Sequence, residues 1–163
     1  MCIACKTDLP INQKTCPSCK NDNPKCFALI FDSIQEILFA RTYDRLSSII
    51  NSYRQVFANQ ATDNETNDVV YNKNYKSFFN YIQYPFISVI IHLDGIGLGR
   101  SNSKHLWILS CSICELPPNI RNRRQNNIVL SLWISDRQPC IDLWLDRCLC
   151  QLANLKKKGR SAT

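Results

Sequence analysis

Cys2-Ile3-Ala4-Cys5 and Cys16-Pro17-Ser18-Cys19 are the residues of this chain best suited to chemistry. Each C-x2-C pair can turn tightly enough to aim both thiolates at one ion. Two such pairs at this separation have the spacing of a structural zinc site, with four sulfurs about 2.3 Å from Zn²⁺. Pro17 and the Asn, Asp and Pro of the flanking segments suit the turns this requires. Four unrelated thiols, or two disulfides, are the alternative, and such spacings serve metal more often than disulfides in a reducing compartment. A closed set of four thiolates has no open position for substrate, so this zinc would build a fold and perform no reaction.

Asp94 is the second candidate. It closes the apolar run Phe86–Leu93 and precedes Gly95. A carboxylate at the end of a buried strand is a common way to hold Mg²⁺, which takes hard oxygen ligands. Two-metal nucleases and transposases clamp a phosphodiester with such groups. Asp94-Gly95 also reads as a plain hairpin turn. The pair Cys111 and Cys114 has C-x2-C spacing but lies in a strand pattern, where alternation sends the two thiols to opposite faces. Gly95, Gly97 and Gly99 lack the spacing of a dinucleotide loop.

The elements that must position these groups follow from the hydrophobic pattern. Residues 1–24 read as a zinc-ribbon-like module. Phe27, Ile30, Phe31, Ile34 and Leu38, then Leu46, Ile49, Ile50, Tyr53, Val56 and Phe57, are spaced for two amphipathic helices. A break at Arg41–Asp44 makes residues 25–60 a helical hairpin. Residues 61–85 are polar, then rich in Tyr, Asn and Phe, and read as a linker or irregular segment. Three strands follow, at 86–93, 106–113 and 127–134. The first is apolar on both faces and is expected to be central and buried. A helix opens after Pro139.

The net charge of +7 comes entirely from the C-terminal part. Residues 1–96 hold nine basic and nine acidic side chains, whereas residues 97–163 hold eleven and four. The clusters Arg121, Arg123, Arg124 and Lys156, Lys157, Lys158, Arg160 suit a phosphate backbone or an import receptor, or form a solvated face and a basic tail. No run reaches the roughly 18 apolar residues of a membrane helix. Met1 leads directly into the first cysteine pair, leaving no room for a signal peptide. The expectation is an intracellular, nuclear protein without a membrane partner, its other six cysteines free.

Residues 88–107, Ser88-Val-Ile-Ile-His-Leu-Asp94-Gly95-Ile-Gly-Leu-Gly-Arg-Ser101-Asn-Ser103-Lys104-His-Leu-Trp107, resemble the start of the catalytic core of CACTA (En/Spm)-type transposases. Cys114-Glu115-Leu116-Pro117-Pro118-Asn-Ile-Arg121 is similar to that family's Asn-Glu-Leu-Pro-Pro motif. Asn126 to Pro139 resembles the segment that follows it, and Asn67 to Lys76 bears a fainter likeness. Departures are Trp107-Ile108-Leu109 for Trp-Pro-Ile, Cys114 for Asn, and Trp133-Ile134-Ser135 for Trp-Phe-Gly.

The resemblance implies that the β-β-β-α unit at 86–155 is partial and ribonuclease-H-like, which with the small four-cysteine zinc ribbon, the helical hairpin and a basic tail at 156–163 makes an α+β chain. It implies that Asp94 is one of three acidic ligands for Mg²⁺ or Mn²⁺, the other two lying in later elements that this chain does not contain. The expected function is that of a truncated, transposase-derived, DNA-binding protein. Its full-length relatives would carry out metal-dependent strand transfer, and this portion would be inactive alone. A non-enzymatic zinc-ribbon adaptor for DNA or protein is the alternative. Homo-oligomers or protein partners would form through the zinc module or an exposed strand edge.

Overall fold

The computed structural model describes residues 1–10, 12–23, 26–59, 68–82, 86–98 and 104–161. The elements are β1 (Leu29–Asp32), α1 (Gln35–Asn59), α2 (Lys73–Tyr81), β2 (Val89–Leu98), β3 (Lys104–Ile113), α3 (Pro118–Arg121), β4 (Ile128–Ser135) and α4 (Ile141–Ser161). The four strands form one antiparallel sheet in the order β1-β4-β3-β2. β1 lies against β4 with Leu29 opposite Ile134 and Asp32 opposite Ser131. The chain is therefore α+β, and its second half holds the three strands and the final helix that the hydrophobic pattern predicts, with the short α3 inserted between β3 and β4.

The chain divides into two compact units. The first comprises Met1–Gln35, His92–Ser110 and Val129–Asn154. Here α4 covers the sheet with Trp144 and Cys148, one helical turn apart and both fully buried. The Trp144 and Trp133 rings pack at 6.2 Å between centroids. The Trp144 indole N–H donates to Ser131 Oγ (2.9 Å), and that hydroxyl donates to Asp32 (2.7 Å). A buried indole needs such a partner, which ties α4, β4 and β1 together.

The second unit comprises Glu36–Ile91, Cys111–Ile128 and Leu155–Thr163. Leu46 and Ile50 of α1 pack on Ile113 and Leu116. Val70, Tyr71 and Cys114 form a second cluster with Tyr53, Tyr75, Phe79 and Ile90 around them.

Several expectations are overturned. Residues 25–60 are not a helical hairpin. Ala28 is buried and residues 29–32 are a strand, because β4 offers a free edge to pair with. Arg41–Asp44 contains neither Gly nor Pro, so α1 passes through it without a break. Part of the expected linker is ordered: Val69–Tyr71 is a 3-10 turn capped by Asp68, and α2 follows, capped by Asn72. Residues 61–67 and 83–85 of that segment lie outside the described residues. The run at 86–93 is not a buried central strand. β2 is an edge, and Ile91, Leu93, Ile96 and Leu98 are exposed on it. The basic tail is not separate either, since α4 continues to Ser161.

Candidate metal centre

The two cysteine pairs form matching knuckles. Cys2 N–H donates to Thr7 O (2.9 Å), and Cys16 N–H donates to Asn21 O (2.8 Å), each five residues ahead. The residue after each second cysteine, Lys6 and Lys20, has φ of 61° and 58°. Left-handed backbone at a non-glycine residue costs about 1–2 kcal/mol. Such strain persists where the surroundings fix the turn. The Ile3 N–H bond to Cys26 O (2.7 Å) and the bridge between Cys2 and Phe27 tie the first knuckle to the chain leading into β1.

The four sulfurs of Cys2, Cys5, Cys16 and Cys19 lie within 4.8 Å of one another. Cys2 Sγ stands 3.7 Å from Cys19 Sγ, and Cys5 Sγ 3.4 Å from Cys16 Sγ. A tetrahedron with bonds of about 2.3 Å has edges of about 3.8 Å, so the sulfurs sit close to the separation one ion would impose. They could hold a metal ion. Cys2 and Cys16 are fully buried, which keeps water from two of the ligands.

The thiols are electrostatically unequal. The Thr7 hydroxyl and backbone N–H lower Cys5 to about 6. Cys16 is also lowered, chiefly by the Cys19 N–H, against its burial. Cys19 receives the Asn21 N–H, which lowers it, yet burial and three neighbouring sulfurs outweigh this and raise it to about 12. Four thiolates this close repel one another, and a divalent cation removes that conflict by taking all four as anions. Among the described residues, no other group of three or more His, Cys, Asp or Glu side chains is placed to hold an ion.

Asp94 is therefore in no such group. It sits in the middle of β2 rather than at its end, and its Oδ1 accepts the Gly95 N–H (2.8 Å). Asp94-Gly95 is not a turn. A Cβ on Gly95 would stand 3.1 Å from three atoms of the Trp107 ring, so glycine is there to let the indole lie on the strand. Gly99, Arg100 and Ser101–Ser103 of the quoted motif lie outside the described residues, as does Asn67.

Arg121 is not a phosphate contact. It is 6% exposed, and its guanidinium grips Asp68 through two bonds of 2.6 and 2.8 Å. It also donates to the carbonyls of Ile113, Cys114 and Leu116. Arg123 and Arg124 are exposed, with Arg123 Nε reaching Asn119 O (3.2 Å). Lys156 and Lys157 are exposed on α4, and the side chains of Lys158 and Arg160 lie outside the described residues.

The sequence reading missed the groups around Arg121. Asp68 also accepts the Tyr53 hydroxyl (2.5 Å), and burial with this bond raises the Tyr53 phenol well above its ordinary range. Fully buried Glu115 accepts the Tyr75 hydroxyl (2.6 Å) and the Ser88 N–H (2.9 Å). The Glu-Leu-Pro-Pro-x-x-Arg stretch thus supplies a buried carboxyl and a buried guanidinium whose hydrogen bonds hold the second unit together. An acid and a base flanking a Pro-Pro turn were the available signal.

The first unit also holds a cleft of about 480 Å³ beside the cysteine knuckles, its lining partly apolar (Leu9, Phe27) and partly charged (Lys14, Asp22, Lys104, Asp136). No protein family, curated protein or solved structure matches the chain.

Proposed function

We propose that the four cysteines hold a structural zinc ion. On this reading, the zinc-built module and the sheet it adjoins belong to a DNA-binding protein of transposase descent. The observation that carries the metal assignment is the convergence of four sulfurs from two matching knuckles within 4.8 Å. Thiolate-only sites of tetrahedral size select Zn²⁺ among abundant divalent ions, and Mg²⁺ would not be held by sulfur. The zinc organises the module, and Cys2, Cys5, Cys16 and Cys19 have no catalytic role.

The transposase reading rests on the motif resemblance at 88–139. It is supported by the run of β2, β3, β4 and α4, with β2, β3 and β4 adjacent in chain order within the sheet. A ribonuclease-H-like core opens with three antiparallel strands and a helix. Within it, Asp94 is the residue that would take Mg²⁺ or Mn²⁺ together with acidic partners from elsewhere. The residues described here supply Asp94 no such partners, so no strand cleavage is assigned to them.

DNA would be met by exposed cations, and Arg123 and Arg124 remain candidates where Arg121 does not. The test is binding of the zinc-loaded chain to duplex DNA across a salt series. Each phosphate contact adds about 0.9 to the slope of log affinity against log salt. Arg123→Glu with Arg124→Glu should flatten the slope by about 2, whereas an unchanged slope removes these residues from the interface.

A second reading, a zinc-ribbon adaptor for protein, is favoured by the cleft beside the knuckles. A wall that is partly apolar and carries both lysines and aspartates suits a peptide better than a uniformly anionic phosphate backbone. In that case DNA binding is absent and Phe27→Ala weakens a peptide partner without changing zinc content.

A further inference from the structure

The four sulfurs of the metal centre are not equally open. Cys2 and Cys16 are fully buried, Cys5 is half-buried and Cys19 is exposed. A side chain also covers Cys5. Thr7 Oγ1 stands 3.1 Å from the Cys5 sulfur and 3.2 Å from Ser18 Oγ, spanning the two knuckles. Asn21 holds the matching place in the second knuckle, since its carbonyl accepts the Cys16 N–H as that of Thr7 accepts the Cys2 N–H. The Asn21 side chain instead turns to accept the Asn23 N–H (2.9 Å), and Cys19 stays open. Each accessible sulfur stands beside a buried one of the other knuckle. Cys19 is 3.7 Å from Cys2, and Cys5 is 3.4 Å from Cys16.

On the zinc reading above, we infer that Cys19 is an oxidation site for peroxides, that Cys2 closes a disulfide on it, and that this link expels the zinc. In a zinc-loaded site all four cysteines are thiolates, so access rather than loss of a proton ranks them. The peroxide O–O bond breaks as one oxygen passes to the Cys19 sulfur, giving a sulfenic acid and hydroxide. The Cys2 thiolate then attacks that sulfur, forms the S–S bond and displaces a second hydroxide. The two thiolates lose two electrons in all, and the peroxide gains them. The sulfurs need close only from 3.7 Å to about 2.05 Å. Zinc is left with Cys5 and Cys16, two of the four ligands that a structural site requires. The bridge between Cys2 and Phe27 keeps the linked knuckles joined to the chain entering β1.

The test is hydrogen peroxide added in steps to the full zinc-loaded chain. Released zinc is read with a chromogenic chelator, and disulfides are mapped by mass spectrometry after alkylation of the remaining thiols. When half of the zinc is free, the expected link is Cys2–Cys19, with Cys5 and Cys16 still alkylated. Thr7→Val removes the hydroxyl over Cys5 while keeping all four ligands, and should bring the Cys5–Cys16 link forward to compete. Cys19→His keeps a set of three cysteines and one histidine that suits structural zinc, and should hold its metal at peroxide levels that empty the wild type. Zinc content and far-UV circular dichroism before peroxide confirm each variant. A wild-type chain that binds no zinc at the outset defeats the zinc reading and this inference together. Three results overturn the inference alone: zinc retained under peroxide, a first link that is Cys5–Cys16 or joins a ligand to Cys26, or a Cys19→His chain that loses zinc as fast as wild type.

Discussion

The cysteine knuckles and the Arg121 network solve the same problem in opposite ways. Both draw together distant segments that would not stay together by apolar burial alone. The knuckles do so with four like groups that repel when ionised and need a cation from outside. The network does so with opposite charges already in the chain, Arg121 and Asp68, buried to 7% and 5% of side-chain exposure. The first region should therefore depend on metal and the second on its own titration. Substitutions can separate the two dependences.

The largest effect is expected at the knuckles. Chelation, or Cys16→Ser, removes one of four ligands or the ion itself. Amide hydrogen exchange should then rise throughout residues 2–21 while α1 around Leu46 and Ile50 stays protected. If both regions lose protection together, the two are one cooperative structure and the contrast fails.

Breaking the network comes next. Arg121→Ala leaves Asp68 buried without its counterion, a loss of about 3–5 kcal/mol by chemical denaturation. Zinc content should be unchanged. Replacing both, with Arg121→Met and Asp68→Leu, should recover most of that loss, because two buried charges are then removed together.

The pH response sharpens the distinction. Burial pushes the Asp68 carboxyl up, but the hydrogen bonds from Arg121 and Tyr53 more than offset this and hold it below its ordinary value. A carboxyl depressed in the folded state contributes stability above its unfolded value of about 3.9, and that contribution is lost as pH falls through the lower folded value. Acid titration of wild type should show this loss, and the Arg121→Met, Asp68→Leu protein should not.

Two smaller effects follow. Gly95→Ala presses a methyl against the Trp107 ring and should cost about 1 kcal/mol. Lys6→Gly or Lys20→Gly relieves a left-handed backbone and should strengthen the zinc-loaded module by about 0.5–1 kcal/mol. If the lysine variants do nothing, the ligands rather than the turns set the knuckle geometry.

The two regions also differ in how readily the sequence disclosed them. The four cysteines were legible because a ligand set is local, with spacing that encodes its own turn. The strand-strand-strand-helix order of residues 89–161 was legible from alternation and β-branching. The network was not. Asp68 and Arg121 are 53 residues apart, and although the acid and base flanking Pro117-Pro118 are a local signal at Arg121, nothing local links it to Asp68. Arg121 looked like a phosphate contact because it sits beside Arg123 and Arg124, yet only the carbonyls at the end of β3 and Asp68 decide its fate. The same limit explains β1. Its apolar spacing at Phe27, Ile30 and Phe31 suits a helix, and only the open edge of β4 makes it a strand. β2 was misjudged in the other direction, since a run apolar on both faces gives no sign of whether anything covers it.

The central claim is the metal, and titration of the reduced, metal-free chain with Co²⁺ followed by Zn²⁺ tests it most directly. One equivalent of Co²⁺ should give the visible and near-ultraviolet absorption of a tetrahedral four-thiolate site, one equivalent of Zn²⁺ should bleach it, and Cys16→Ser should alter both. A chain that takes up no Co²⁺, or gives the same spectrum after Cys16→Ser, would contradict the assignment of Cys2, Cys5, Cys16 and Cys19.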